Sequence, residues 1–157
     1  MKNIQIGFTF IELIVSLALL ALLASVVIPI SDLASRHSKE RELKKALIEI
    51  RDAIDEYKVA SDKNEIPIKY RTSSGYPPNL SVLEGIPGER GGKKTYRFLR
   101  KIPADPFAVD KNIPPEQTWG IREFLSEADN PKKGDDVYDI YSLSTQVGSN
   151  GMMYREW

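Results

Sequence analysis

Few side chains in this sequence are of a type and spacing that could do chemistry. The single histidine, His37, stands in a run of charged residues, where an imidazole is ordinarily a solvated surface group and not a ligand or base. Asp135 and Asp136 are adjacent carboxylates, the residue type of acid/base or metal chemistry. They fall in the turn-rich stretch 130–136 with no histidine, cysteine or organised serine nearby, so a solvated turn is expected. Gly91-Gly92-Lys93 lacks the spacing of a phosphate-binding loop. Cysteine is absent, which removes disulfides, thiolate metal sites and a thiol nucleophile. No catalytic residue and no metal ligand set is therefore expected. Glu12 is different: it interrupts an otherwise apolar run, where a carboxylate needs a partner or a route to the interface.

The elements that must position Glu12 follow from hydropathy. Residues 13–28 carry no charge and are mostly Leu, Ile and Val. A helix over 8–28 at roughly 1.5 Å per residue is about 31 Å long, which matches a hydrocarbon core of about 30 Å. Its aliphatic residues each favour insertion by roughly 0.3 to 0.6 kcal/mol, so one carboxylate near the end, costing at most about 3 kcal/mol, is tolerated. A membrane-spanning helix is predicted over 8–30. Pro29 lacks a backbone donor and clashes with the preceding turn, which predicts a kink there. From Ser31 an amphipathic helix is expected to about Lys63, with Leu33, Leu43, Leu47, Ile50, Ile54 and Tyr57 forming one apolar stripe.

A chain of 157 residues leaves room for one modest domain after this helix. Its 22 basic and 22 acidic residues give no basic footprint, so no nucleic-acid partner is expected. Residues 61–78 are rich in Pro, Ser and Gly and predict a loop, 79–84 a short helix closed by Gly85, and 87–94 a second loop. Strands are predicted over 118–124 and 137–143, and a closing segment, 152–157, is a candidate third strand. The expected fold class is α+β: a long N-terminal helix packed by a small antiparallel sheet in a head over 64–157.

Residues 1–7 form a short polar leader with Lys2, followed at once by Gly7-Phe8-Thr9-Phe10-Ile11-Glu12-Leu13-Ile14. This resembles the prepilin signature of the type IV pilin-like family. The resemblance implies cleavage by a prepilin peptidase between Gly7 and Phe8, N-methylation of Phe8, and retention of the apolar helix. It also implies that Glu12 meets the amino terminus of a neighbouring subunit in a filament core, a pairing that an apolar bundle tolerates only in the right register. A secretory signal peptide fits less well, because it offers no acid in the apolar run and needs a small-x-small cleavage site that is missing before Pro29. Arg36, Lys39, Arg41, Lys44 and Lys45 outnumber Lys2, which by charge bias alone keeps the head in the cytoplasm. Acids interleave with these bases, and the motif implies the opposite orientation, amino terminus inside.

Within that family, Tyr76-Pro77, the stretch from Leu99 through Ile102-Pro103-Ala104-Asp105-Pro106-Phe107, the strand Asp139-Ile140-Tyr141-Ser142 and Trp157 resemble the major pseudopilins of type II secretion. That likeness implies a non-enzymatic subunit of a homo-oligomeric filament, held first in the bacterial inner membrane and then in the periplasm. Its implied partners are minor pseudopilins, the prepilin peptidase and an inner-membrane assembly platform. Such pseudopilins bind calcium in the loop after the Asp-x-Tyr-Ser strand. Residues 144–151 contain no Asp or Glu, so calcium is not expected here. The insertion between Phe107 and Val137 is a second departure from the pattern. The alternatives are a type IV pilin of a surface fibre, which the lack of cysteine disfavours, and a signal-anchored periplasmic enzyme or binding module, which needs a convergent polar pocket.

Overall fold

A computed structural model describes residues 7–87 and 95–157, with backbone only for residues 26–31, 87 and 95. The chain forms two compact units that divide between Ser38 and Lys39. Helix α1 (Phe10–Asp62) contributes to both. It begins after Thr9, whose Oγ1 accepts from the Glu12 amide at 3.3 Å, which satisfies one of the orphan donors of the first turn. It ends where Asn64 enters the left-handed region at φ 59, with the Glu65 amide reaching back to the Ala60 carbonyl at 3.0 Å. Asn tolerates that conformation better than most residues and is a common helix terminator.

In the second unit Leu43, Leu47, Ile50, Ile54 and Tyr57 are buried, as the stripe predicts. Each contributes roughly 2 kcal/mol by leaving water, before the entropy of ordering is counted. Leu33 is a correction: it lies in the first unit and is 57 % exposed. The buried stripe instead starts at Glu40, three residues before Leu43, and so opens with an acid that hydrophobic periodicity does not count.

The head closes over this stripe with two short antiparallel ladders. Strands β1 (Ile86–Pro87) and β2 (Thr95–Tyr96) flank the expected loop, and β3 (Trp119–Arg122) pairs with β4 (Asp139–Ser142) in the register Trp119↔Ser142 and Ile121↔Ile140. Both long strands are shorter than predicted but correctly placed. Their inward residues Trp119 and Ile140 join one core with the α1 stripe, Leu83, Ile102 and Tyr154. Residues 79–84 form a 3-10 helix (Leu80–Glu84) capped by the Asn79 side chain, and a further 3-10 turn (Ile68–Tyr70) lies in the expected loop after α1.

The third strand is also a correction. Residues Tyr154–Glu156 form a 3-10 turn, and only Val147 and Met153 make an isolated bridge. Gly151 at φ 81 reverses the chain, and Tyr154 is then turned inward, fully buried, with its ring stacked on Phe107 at 4.1 Å. An extended strand alternates its side chains and would send neighbouring residues where the helix already fills the core.

Candidate assembly site

The first unit presents the residues that the motif singles out. Thr9-Phe10-Ile11-Glu12 has the Thr-x-x-Glu spacing of a helix-capping motif, and Glu12 sits in the first turn, where the helix dipole favours a negative charge. Ser16 Oγ donates to the Glu12 carbonyl and Ser25 Oγ to the Leu22 carbonyl, each at 2.7 Å. The hydroxyls are thus satisfied within the helix, which leaves Glu12 as the charged side chain of this stretch.

Its apolar residues are exposed on every face. Phe8 is 85 % exposed, Phe10 79 % and Leu17 68 %, with Ile11, Leu13, Leu20 and Leu23 similar. A helix that is apolar all round is stable only when lipid or other helices surround it. A Cβ added at Gly7 would meet nothing within 4 Å, so no packing contact demands a glycine there. Among the described residues no helix is long and apolar enough to cross a membrane. The expected span 8–30 runs into residues 26–31, and the kink expected at Pro29 lies with them outside the described side chains. The leader before Gly7 and Gly91-Gly92-Lys93 also lie outside the described residues.

In the head, the key polar group is one that hydropathy passes over. Glu40 is 4 % exposed and accepts from the Ser149 amide at 2.8 Å, Ser149 Oγ at 2.6 Å and the Tyr154 hydroxyl at 2.9 Å. A buried carboxylate is tolerable when its lone pairs are filled in this way. The acid on α1 thereby fastens the loop 144–151 that the sequence places after β4. The loop also closes on itself: Gly148 N–H donates to the Met152 carbonyl at 2.7 Å, Tyr154 N–H to the Gln146 carbonyl at 3.1 Å, and Met152 N–H to Asn150 Oδ1 at 3.1 Å.

Calcium takes six to eight oxygen ligands, usually including carboxylates. The loop supplies no acid, Ser149 Oγ and Asn150 Oδ1 are already engaged, and the Glu40 oxygens face amide and hydroxyl donors. Among the described residues no cluster of three or more His, Asp or Glu is placed to hold a metal.

Two segments singled out from sequence meet at a second buried acid. Asp105 accepts from the Phe107 amide through Oδ1 at 2.7 Å and from Ser142 Oγ through Oδ2 at 2.5 Å, while its own amide donates to Thr118 Oγ1. Trp119 Nε1 donates to the Pro103 carbonyl at 2.8 Å, so the proline-rich stretch is tied to both long strands. Tyr76 packs edge-on to Tyr138, and the Pro77 carbonyl accepts from the Val137 amide at 2.8 Å. The resemblance residues are therefore the frame of the head.

Asp136 corrects the solvated-turn reading. It is 8 % exposed, accepts from the Phe124 amide at 2.9 Å and from Ser74 Oγ, and holds the loop before β4 against the loop after α1; Asp135 is exposed as expected. His37 is exposed. Arg51, which periodicity leaves as an ordinary charge, donates to Asp139 at 2.8 Å, to the Ile140 carbonyl and to the Trp157 carbonyl. Arg122 shares Asp139 at 3.1 Å. The cleft of about 670 Å³ beside these groups offers a satisfied ion-pair network and no nucleophile with a base. Burial pushes the Tyr57 phenol up to about 12, with Arg71 pulling weakly the other way, and its hydroxyl donates to the Tyr70 carbonyl.

The chain also resembles known proteins. Residues 2–28 match the family described as the prokaryotic N-terminal methylation motif. Over 145 residues the chain is 25 % identical to the type II secretion system core protein G of Klebsiella michiganensis, spanning 91 % of this chain and 97 % of that protein. No solved structure matches. An amino-terminal methylation motif on an exposed apolar helix, an α+β head framed by the expected segments, and a likeness running almost end to end make this chain similar to that secretion-system protein.

Proposed function

We propose that the chain is a structural subunit of a type II secretion pseudopilus, assembled through its N-terminal helix. In this reading the precursor sits in the inner membrane with its amino terminus inside. A prepilin peptidase cuts between Gly7 and Phe8 and methylates Phe8. The helix over 8–30 then leaves the bilayer for the core of a periplasmic filament, aided by an assembly platform and joined by minor pseudopilins. The observation that carries this is the exposure of apolar side chains on every face of α1 from Phe10 to Leu23. Burying each large one stabilises by roughly 1.5 to 3 kcal/mol, in lipid before assembly and against neighbouring helices after it.

Glu12 fits the second environment better than the first. Among packed apolar helices it requires a cation, and the new amine of a neighbouring Phe8 supplies one. Gly7, which no contact in the fold requires, suits recognition by the peptidase. No metal enters this reading, because the Glu40 contacts already do the fastening that a cation would do. The pilin family in general is not enzymatic, and the described clefts offer no catalytic set. A surface fibre is the second reading within the family; the likeness along nearly the whole chain to a secretion protein favours the pseudopilus.

Mass spectrometry of the protein purified from its own membranes tests the reading. The expected species begins at Phe8 and carries one added methyl group. A mature chain that starts well inside the apolar run, having lost the helix, overturns it.

A further inference from the structure

Within the insertion between Phe107 and Val137 the chain builds a turn that holds an apolar tip in water. The Glu123 amide donates to the Lys132 carbonyl and the Phe124 amide to Asp136 Oδ1, each at 2.9 Å, while the Ser126 amide and Oγ both donate to the Glu123 carbonyl. The Phe124 ring stacks on Tyr76 at 5.6 Å and meets Tyr138 edge-on at 5.5 Å. Leu125, the next residue, is left 86 % exposed at the tip of this braced turn. Glu127 and Asp129 follow it, exposed and without an ion-pair partner among the described residues, and residues 124–130 contain no base.

A pocket of about 270 Å³ opens where the C-terminal segment meets α1 in the second unit. Leu47, Ile48, Met152 and Trp157 give it apolar walls, and Lys44 and Arg51 line it with two bases and no acid. Ile48 and Met152 are both exposed, so the pocket is open to solvent, and Leu125 of the same chain is not among the residues that line it. Arg51 is engaged with Asp139, Ile140 and Trp157. The Lys44 ammonium lies over the Trp157 ring at 4.6 Å, with no carboxylate against it among the described residues.

We propose that this pocket receives the Leu125 turn of a second copy of the chain. An apolar tip followed by two acids and no base meets apolar walls that carry two bases and no acid. Opposite charge of this kind sets the register of a contact and disfavours other partners. The hydrogen bonds at Glu123 and Ser126 and the stacked Phe124 ring already fix the turn, so docking orders little that was free. The contact is too small to hold two free molecules together. It therefore rests on the filament reading above, in which packed N-terminal helices keep the heads side by side and raise their effective concentration. Turn and pocket are different surfaces, so each contact joins the turn of one copy to the pocket of another.

The native sequence has no cysteine, so introduced thiols report the contact without background. Two differently tagged full-length chains, Leu125→Cys and Met152→Cys, are co-expressed with the secretion machinery and oxidised. The expected product is a disulfide-linked pair that carries both tags, and neither variant expressed alone gives a linked pair. Adding Glu127→Lys to the first chain, or Lys44→Glu to the second, is expected to lower the yield of mixed pairs by about tenfold, as juxtaposed like charges do. The two charge changes together restore it, while unchanged thermal melting of the variants excludes unfolding as the cause. Filaments that form normally but give no mixed pair and no rescue overturn the docking and leave the filament reading intact. A Met152→Cys chain that links only to a different protein assigns the pocket to that protein and also overturns it. Absence of wild-type filaments removes the filament reading and the docking together.

Discussion

The hydroxyl of Tyr154 donates to the carboxylate of Glu40 across 2.9 Å, joining residues 114 apart in the chain. Glu40 opens the buried stripe of α1, and Tyr154 is fully buried at the end of the loop that follows β4. Ser149 supplies two further donors to the same carboxylate. One acid thus determines where the C-terminal segment lies on the helix, and the stacked Phe107 ring carries that constraint to the proline-rich stretch.

Glu40→Ala strips three donors of their acceptor inside the head. Leaving buried donors unpaired, with hydrogen bonds to a charged group lost, destabilises by about 2 to 4 kcal/mol. Tyr154→Phe removes a single donor and costs about 1 to 2 kcal/mol. Chemical denaturation of the full chain in detergent measures both. Excess EDTA or added calcium is expected to leave the wild-type melting temperature unchanged, and a clear chelator-dependent fall would contradict the metal-free fastening.

Tyr57 makes the head sensitive to alkali. Its phenol titrates at about 12 in the folded state and near 10 in the unfolded chain, so the folded state holds the proton more tightly. The stabilisation is complete below pH 10 and is lost as the pH rises through 12. Melting temperature followed across that window is expected to fall more steeply for the wild type than for Tyr57→Phe. Equal slopes would show that another group governs the alkaline loss.

Glu12→Val is expected to leave membrane insertion intact, since it removes the one charge from an apolar stretch. Filament yield is expected to collapse, because the neighbour's amine loses its partner in the bundle core. Fractionation reports the first property and sheared filaments the second. Normal filaments from this variant would remove the proposed role of the acid.

Gly120 lies opposite Tyr141 in the β3–β4 ladder, and a Cβ there would approach the Tyr141 ring to 2.3 Å. Gly120→Ala therefore forces the ring aside. The expected loss is about 1 to 3 kcal/mol of stability, with filament assembly retained at low temperature. Gly120→Ala/Tyr141→Ala removes the clash and is expected to recover the part of the loss due to overlap, as a double-mutant cycle on the two sites would reveal.

Local pattern was enough for much of this molecule. The uncharged run beside Glu12, the stripe Leu43, Leu47, Ile50, Ile54 and Tyr57, the short helix over 79–84 and the alternation near Ile140 each depend on residues a few positions apart, and helices and strands obey such short periods. The helix cap at Thr9 is equally local, carried by its Thr-x-x-Glu spacing, although hydropathy alone passes over it. The roles of the buried acids were not legible. Glu40 and Asp136 look like surface charges because the donors that fill them, Ser149, Tyr154, Ser74 and the Phe124 amide, come from 12 to 114 residues away. The C-terminal segment likewise became a 3-10 turn and not a strand because the position of Tyr154 is set by Glu40 and Phe107, a matter of tertiary packing that no local propensity contains.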